Sequence, residues 1–593
     1  MPYIVPQKDM LFTLEHVANL SQVFAELNID LDAETVAGVL DEAAKLNQDI
    51  VAPTNRTGDL QPSYLKDGKV ITSPGFKEAF QAYTQGGWQG LSHPEEVGGQ
   101  GLPKLLATAC SEMLNSSNLS FALCTLLTDG AIEALLTAGS DEMKQQYIPR
   151  MISGEWTGSM NLTEPQAGSD LALVRSRAEP QADGSYKVFG TKIFITYGDH
   201  DLADNIVHLV LARTPTAPEG IKGISLFVVP KILVNADGSL GAPNDVACLS
   251  LEHKLGIKAS PTAVLQFGDH GGATGYLVGE ENRGLEYMFI MMNAARFSVG
   301  IQGLAVMETA YQMARDYAAE RLQSRPVDGS AREAVAIIHH PDVKRMLLTM
   351  KATIEGCRAM SYYTAGLSDI AHHHADAATR EAALAQYEFM VPLVKGFNTE
   401  QSVDITSVGV QIHGGMGFIE ETGAAQFHRD SRILPIYEGT TAIQANDLIG
   451  RKTLRDGGAV ALAFADQIDA TAAELAGHDA LKSMVQPLSD ANHAYRNVVA
   501  HVLAHTKTNP NNVFAGSVLY LKLAGMLMAG WHSARAALAA QSLLSSGTDV
   551  AFLQGKIGTA QFYMQHVLPQ TGALAKAILD GGEAVAGFDV ALF

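Results

Sequence analysis

"DGSYKVFGTKIFIT", Asp183 to Thr196, is where the chain changes character. An Asp-Gly turn leads into β-branched and aromatic residues, the signature of a strand after a tight turn. "NIVHLVLART", "GISLFVVP" and "TAVLQFGD" follow as further short strand-like runs between turn signals. Residues 156–282 therefore read as a β domain. On its N-terminal side the period is helical. "DAETVAGVLDEAAKLNQDI" follows a capping Asp, and "PKLLATACSEMLNSSNLSFALCTLL" continues the pattern, so residues 1–155 are expected to be α-helical. On its C-terminal side Phe297, Ile301, Leu304, Met307, Tyr311 and Ala314 recur at three- and four-residue steps along one helix face. A second helix opens at Pro341 and a third spans about 379–411. Residues 283–455 are read as a four-helix bundle, and the Ala-rich remainder, 456–593, as an additional helical domain. The fold class is multidomain α+β, in the order α, β, α, α.

The 593 residues carry a net charge of −21, with 47% hydrophobic and 18% charged residues, a composition suited to a large globular core. The acidic balance opposes nucleic acid or an anionic membrane as the main partner. Cys110, Cys124, Cys248 and Cys357 form no CxxC pair and read as reduced, buried thiols. The opening "MPYIVPQKDM" lacks the basic-then-apolar pattern of a secretory signal, and a cytosolic location is expected. Val513 to Trp531 is nearly long enough to span a bilayer, but Lys522 sits at its centre. It is read as a buried bundle helix, and no integral membrane segment is expected.

Three stretches can carry chemistry. "SMNLTEPQAGSD", Ser159 to Asp170, offers backbone N–H groups and small hydroxyls on a loop. "GTKIFITYG", Gly190 to Gly198, alternates Phe194 and Thr196 with Ile193 and Ile195, so an aromatic ring and a hydroxyl share one strand face. "QIHGGMGF", Gln411 to Phe418, lets backbone approach a ligand closely. Taken alone, the first reads as a plain turn and the second as an ordinary core strand, and a helix cap explains the third equally well. A fourth, "RILPIYEGTTAIQ" from Arg432 to Gln444, holds Glu438, the only charge between Arg432 and Asp447. A carboxylate in apolar company is costly unless paired or protonated. Burial beside Ile436 and Tyr437 is expected to raise its pKa toward that of a useful general base.

In this order and on this plan, the stretches resemble the acyl-CoA dehydrogenase family of flavoproteins over about residues 75–450. "HPEEVGGQGLP", "QQYIPRMISGEWTGSMNLTEPQAGSD" and "KLGIKASPTAVLQF" add to the likeness. The length and C-terminal extension resemble the family's large subgroup, which includes enzymes acting on long-chain and methylthiopropionyl thioesters. The resemblance implies FAD as cofactor and an acyl-CoA thioester as substrate. Glu438 would take the α proton while a hydride leaves the β carbon for flavin N5. It implies FAD contacts at Leu162, Thr163, Ser169, Phe194 and Thr196, with Gln411, Gly415 and Thr440 nearby. Arg321 and Gln323 would reach a neighbouring subunit's FAD, which implies a homodimer. Ser169, Arg296, Tyr437 and Gly439 are implied on the substrate side. Some branches carry their base just before that arginine; here the position is Ala295, which leaves Glu438. With no cysteine cluster for iron–sulfur ligation, electrons are expected to leave to a separate electron-transfer flavoprotein. No metal site is expected: His372, His373 and His374 are consecutive on a helix and cannot converge on one ion. Rival readings are an acyl-CoA oxidase on the same fold and a non-dehydrogenating, nucleic-acid-binding relative. The intact acid loop and the net charge oppose the second.

Overall fold

The computed structural model describes residues 3–593, leaving aside the side chains of residues 290, 291 and 293. The N-terminal region is helical apart from a small hairpin, Tyr64–Lys66 with Lys69–Ile71, around the left-handed Asp67 and Gly68. This hairpin lies inside the stretch read as purely α-helical. Two of the helices matter for the site: α1 (Lys104–Ser117) and α2 (Leu119–Ala138). Asn118 separates them in extended conformation and caps α2, accepting from the Phe121 N–H at 3.0 Å.

The β region forms one eight-stranded sheet and a separate small hairpin. The strands are β1 (Trp156–Asn161), β2 (Arg177–Pro180), β3 (Tyr186–Thr196), β4 (Asn205–Ala212), β5 (Ser225–Pro230), β6 (Val246–Leu251), β7 (Thr262–Phe267) and β8 (Ala273–Val278). Their order is β6-β7-β3-β8-β5-β4-β1, with β2 paired to β3. Only β1 and β4 pair in parallel, Trp156 opposite Asn205. Strands β1, β4 and β5 are buried along their whole length, because both faces are covered there. The register of β3 on β7 shifts between Ala263 and Leu265. Opposite that shift Phe194 adopts φ +60°. The bulge breaks the strict alternation read from the sequence: Phe194 turns out to solvent, 59% exposed, while Thr196 is half-buried.

Three long helices follow: α3 (Gly284–Glu320), α4 (Pro341–His373) and α5 (Ala377–His413). Pro341 starts α4, where its missing N–H costs nothing. Helices α3 and α5 run parallel and close. A Cβ on Gly300 would come within 2.6 Å of the Val394 carbonyl oxygen, and one on Gly303 within 2.8 Å of that of Asn398. Glycine is therefore required on the α3 side of this seam. At the far end Tyr317 stacks on His413, ring centroids 4.5 Å apart. The short α6 (Thr441–Asp447) returns to α5.

The last helices cover the outer face of α4 and α5. In α7 (Ser517–Leu543) Gly525 lies against the Phe397 ring, Leu521 against Gly396, and Ala529 and Ser533 against Gly356. The stretch checked for a membrane span is thus the buried helix expected, entered through a break at Gly516. Fully burying one side chain such as Leu521 or Leu527 contributes about 1.5–3 kcal/mol, so this seam is a core rather than a tether. Polar ties add to it. Lys556 on α8 (Val550–Phe562) donates to Asp9 at 2.6 Å and Glu355 at 2.9 Å. Asp9 also accepts from Arg358 at 2.6 Å, and Arg358 reaches Glu112 and Glu308 at 2.6 and 2.8 Å. One buried ionic cluster thus joins the N-terminal helices, the bundle and the C-terminal addition.

Among the described residues two helices, α2 and α3, are long and apolar enough to cross a membrane, and most of each is buried within the fold. Cys110, Cys124 and Cys357 are buried as expected; Cys248 is only half-buried, because β6 lies at the edge of the sheet.

Candidate active site

The turn carrying Glu438 connects the helix ending at Ser431 to α6. Main-chain bonds from the Ile436 and Tyr437 N–H groups to the Ile433 carbonyl, at 2.9 and 3.1 Å, close its first half. Glu438 and Gly439 then follow with φ of +53° and +88°. A left-handed residue other than glycine costs about 1–2 kcal/mol, and it persists only where its surroundings fix it. They do so here. The Tyr437 hydroxyl donates to Gln302 Oε1 of α3. The buried Lys395 of α5 donates to the Leu434 carbonyl at 2.9 Å and the Gly439 carbonyl at 2.6 Å. Thr440 caps α6, accepting from the Ile443 N–H at 3.3 Å. Thr441 donates to Glu400 at 2.5 Å. A side chain at Gly439 would be strained by its φ of +88°, and its Cβ would stand 2.7 Å from Gln444 Nε2.

Burial pushes the Glu438 carboxyl above the ordinary carboxylate range, and Lys395 and Arg296 pull it back only in part. Arg296 is itself buried and faces both Glu438 and Asp447. The expected apolar screen is different in detail. Tyr437 is half-buried, but Ile436 is 50% exposed, so protein behind the turn rather than Ile436 desolvates the acid. The N–H of Glu438 has no hydrogen-bond partner among the described residues.

The first loop is anchored by Glu164, as a turn-fixing carboxylate. It accepts from Lys192 Nζ at 2.8 Å, Ser176 Oγ at 2.6 Å and the Arg175 and Ser176 N–H groups at 2.8 and 3.0 Å. Lys192 also donates to the Leu162 carbonyl at 3.0 Å, and the Ile193 N–H to the Thr163 carbonyl at 2.9 Å. Leu162 and Thr163 are thereby tied to the strand that presents Phe194 and Thr196. Ser169 stands exposed at the end of the same loop. Tyr197, next along β3, is buried in the apolar cluster that holds Leu434 and borders Tyr437. The loop, the strand end and the Glu438 turn are thus neighbours.

Arg321, Gln323, Gln411 and Gly415 lie elsewhere. Arg321 caps the far end of α3, about 25 residues past Arg296, which at the α-helical rise is roughly 38 Å. The Tyr317–His413 stack brings the end of α5, with Gln411 and Gly415, to that same far end. All four residues are exposed. The candidate residues therefore fall into two groups at opposite ends of α3.

A cavity of about 80 Å³ lies between α1, α2 and Ser298 of α3. Asn47, Gln89, Ser111, Asn115, Thr125 and Asp129 give it a polar lining. Ser298 is one helical turn before Gln302, the partner of Tyr437, but none of the candidate site residues lines the cavity.

This geometry has close counterparts. The chain is 52% identical over 587 residues, 99% of both chains, to 3-methylmercaptopropionyl-CoA dehydrogenase of Ruegeria pomeroyi. The chain belongs to the acyl-CoA dehydrogenase family. Residues 66–155, 159–270 and 282–453 match the acyl-CoA dehydrogenase N-terminal, middle and C-terminal domains. Residues 464–589 match the acetyl-CoA dehydrogenase C-terminal-like domain. The broad-specificity linear acyl-CoA dehydrogenase FadE5 of Mycobacterium tuberculosis is 35% identical over 95% of each chain. The fold is also that of Caenorhabditis elegans ACDH-11 in complex with C11-CoA, with TM-score 0.75 and 20% identity over 94% of each chain. As an acyl-CoA dehydrogenase the protein is an FAD-dependent oxidoreductase. Its residues fit that cofactor. Phe194 presents an exposed ring on a backbone held left-handed, and Gln302 Nε2 and both ends of the Gln444 amide are buried beside the turn without a partner among the described residues.

Sequence reasoning missed Lys395, Gln302 and Gln444. Lys395 did leave a signal: it is the only charge between Glu388 and Glu400.

Proposed function

We propose that the protein dehydrogenates a short acyl-CoA thioester between its α and β carbons, with Glu438 as the base and 3-methylmercaptopropionyl-CoA as the substrate. The observation that carries this reading is the strained, desolvated Glu438 turn, braced from α3, α5 and α6. Its carboxylate removes the α proton. FAD, when bound, supplies the acceptor for the hydride that leaves the β carbon, so the products are the enoyl thioester and reduced cofactor. Desolvation makes Glu438 a stronger base than an exposed carboxylate, while Arg296 and Lys395 keep its charged form accessible. The unpartnered Glu438 N–H is a donor for the thioester oxygen, on which enolate-like charge develops. Leu162, Thr163, Ser169, Phe194, Thr196 and Thr440 would line the flavin; Arg296, Tyr437 and Gly439 would line the thioester.

The similarity to the Ruegeria enzyme supports a short acyl tail with a heteroatom over a long hydrocarbon. The distance between the two residue groups supports a homodimer in which Arg321, Gln323, Gln411 and Gly415 complete the partner's FAD site. Reoxidation by a separate electron-transfer flavoprotein in the cytosol completes the proposal. The test is flavin bleaching by 3-methylmercaptopropionyl-, butyryl- and palmitoyl-CoA, alone and with an acceptor protein. Glu438→Gln should stay yellow and fail to bleach. Bleaching of that variant at the wild-type rate would remove Glu438 from its role, palmitoyl-CoA as best substrate would remove the short-chain reading, and rapid peroxide formation without acceptor would mark an oxidase.

A further inference from the structure

Lys395 is fully buried and bonded to the turn's own backbone at two carbonyls. We propose that Lys395 is a positioning residue for the base: its ammonium clamps the two limbs of the Leu434–Gly439 turn and holds Glu438 in its ionised, left-handed state. The inference rests on the reading of Glu438 as the base.

The geometry makes the case. Leu434 precedes Glu438 by four residues and Gly439 follows it, so the two carbonyls bound by one Nζ bracket the acid. Joining them shortens the path across the turn, and φ of +53° at Glu438 is what such a closed turn demands. A neutral donor would satisfy the same carbonyls without bringing a charge into a buried site, a step that costs several kcal/mol. The charge must therefore be compensated nearby, and Glu438 is the first group to do so. Burial brings the lysine down to about 7 against the pull of Glu438 and, more weakly, Glu400, while Arg296 opposes it, so the ammonium is the form held on the acid side of neutral. The coupling is mutual: each of Lys395 and Glu438 favours the charged form of the other. The remaining charges face inward from other elements. Arg296 on α3 faces both Glu438 and Asp447 of α6, and Asp447 also pairs with Arg451 at 3.4 Å, so Asp447 is shared between two cations. Glu400 accepts from Thr441 and is likewise engaged.

The test is single-turnover flavin bleaching of the holoenzyme by 3-methylmercaptopropionyl-CoA and by butyryl-CoA over a pH series. Proton removal needs ionised Glu438, so the rate falls on its acid limb. Lys395→Met removes the cation at nearly constant volume and should move that limb to higher pH by about one unit or more, the effect of losing an adjacent opposite charge. Lys395→Arg keeps the charge and should restore the limb toward its wild-type position even if the maximal rate stays reduced. Lys395→Gln retains a donor for one carbonyl and should show the same shift where the methionine protein does not hold FAD. An unmoved limb in a neutral variant that holds FAD overturns the proposal, and so does an equal shift in the arginine variant. Glu438→Gln run alongside separates the two claims. If it bleaches, the base reading fails; if it does not and the lysine variants keep the wild-type limb, only the role of Lys395 fails.

Discussion

Glu164→Gln tests whether the flavin loop is held by charge. The carboxylate is buried and accepts five hydrogen bonds, from Lys192, Ser176 twice, Arg175 and Gln166. Burial alone would raise its pKa, yet Lys192 and the hydroxyl and amide donors hold it down at about 2 from an ordinary 4.5. That difference corresponds to about 3 kcal/mol favouring the ionised, bonded form, within the range for breaking a buried pair from one side. The sign with pH follows. A depressed carboxyl contributes its full stability above its unfolded pKa and loses it as pH falls toward about 2, so wild type and variant should converge on acidification. The amide also leaves Lys192 buried without its anion; burial already brings that lysine to about 8, and it should shed its proton near neutral pH. Because Lys192 bonds the Leu162 carbonyl, loop order should suffer with it. If the whole loss appears in cofactor binding, FAD affinity falls by up to about 100-fold. Flavin fluorescence on dilution reads the affinity, and thermal unfolding across pH reads the stability. Lys45→Ala, which removes an exposed pair to Glu42, is the control and should cost little. A Glu164→Gln protein that binds FAD normally and is no more affected than this control would refute the reasoning.

Three further outcomes are expected. Lys556→Met should destabilise docking of the C-terminal addition by about 3 kcal/mol, because Asp9 keeps only Arg358 and Glu355 loses a buried partner; urea unfolding followed at Trp531 of α7 measures it, and a cost no larger than that of Lys576→Ala in the exposed pair with Asp580 would contradict it. Light scattering on the holoenzyme should give two chains, and Arg321→Ala should release FAD more readily while leaving the acid limb of bleaching in place. A fully flavin-loaded monomer would contradict the shared site. Glu438→Gln should remain yellow and unreactive at every pH, since an amide does not titrate.

The outline of the fold was legible because it rests on local period. Proline at the start of α4, the helical spacing after Leu285 and the Asp-Gly entry to β3 each act within a few residues. Departures from that reading arise where backbone shape or distant packing decides. Phe194 and Thr196 were placed on one face by alternation, but a bulge against β7 turns the ring outward. Ile436 was read as a screen for Glu438 and stands exposed, because the desolvating protein comes from α3 and α5. Glu438 and Lys395 make the sharpest contrast. Both are single charges in apolar runs, Glu438 before Asp447 and Lys395 between Glu388 and Glu400. Only the acid sits in a short loop motif that signals chemistry. The lysine sits in a 37-residue helix, where one charge usually marks a solvent-facing position. What distinguishes it is that the 434–439 turn docks on α5, a contact made across 39 residues of sequence that puts two carbonyls within reach of one ammonium. An isolated charge in an apolar segment is thus half of a statement. Its partner, 40 or so residues away, carries the other half, and the pair becomes readable only when the two segments are seen to pack.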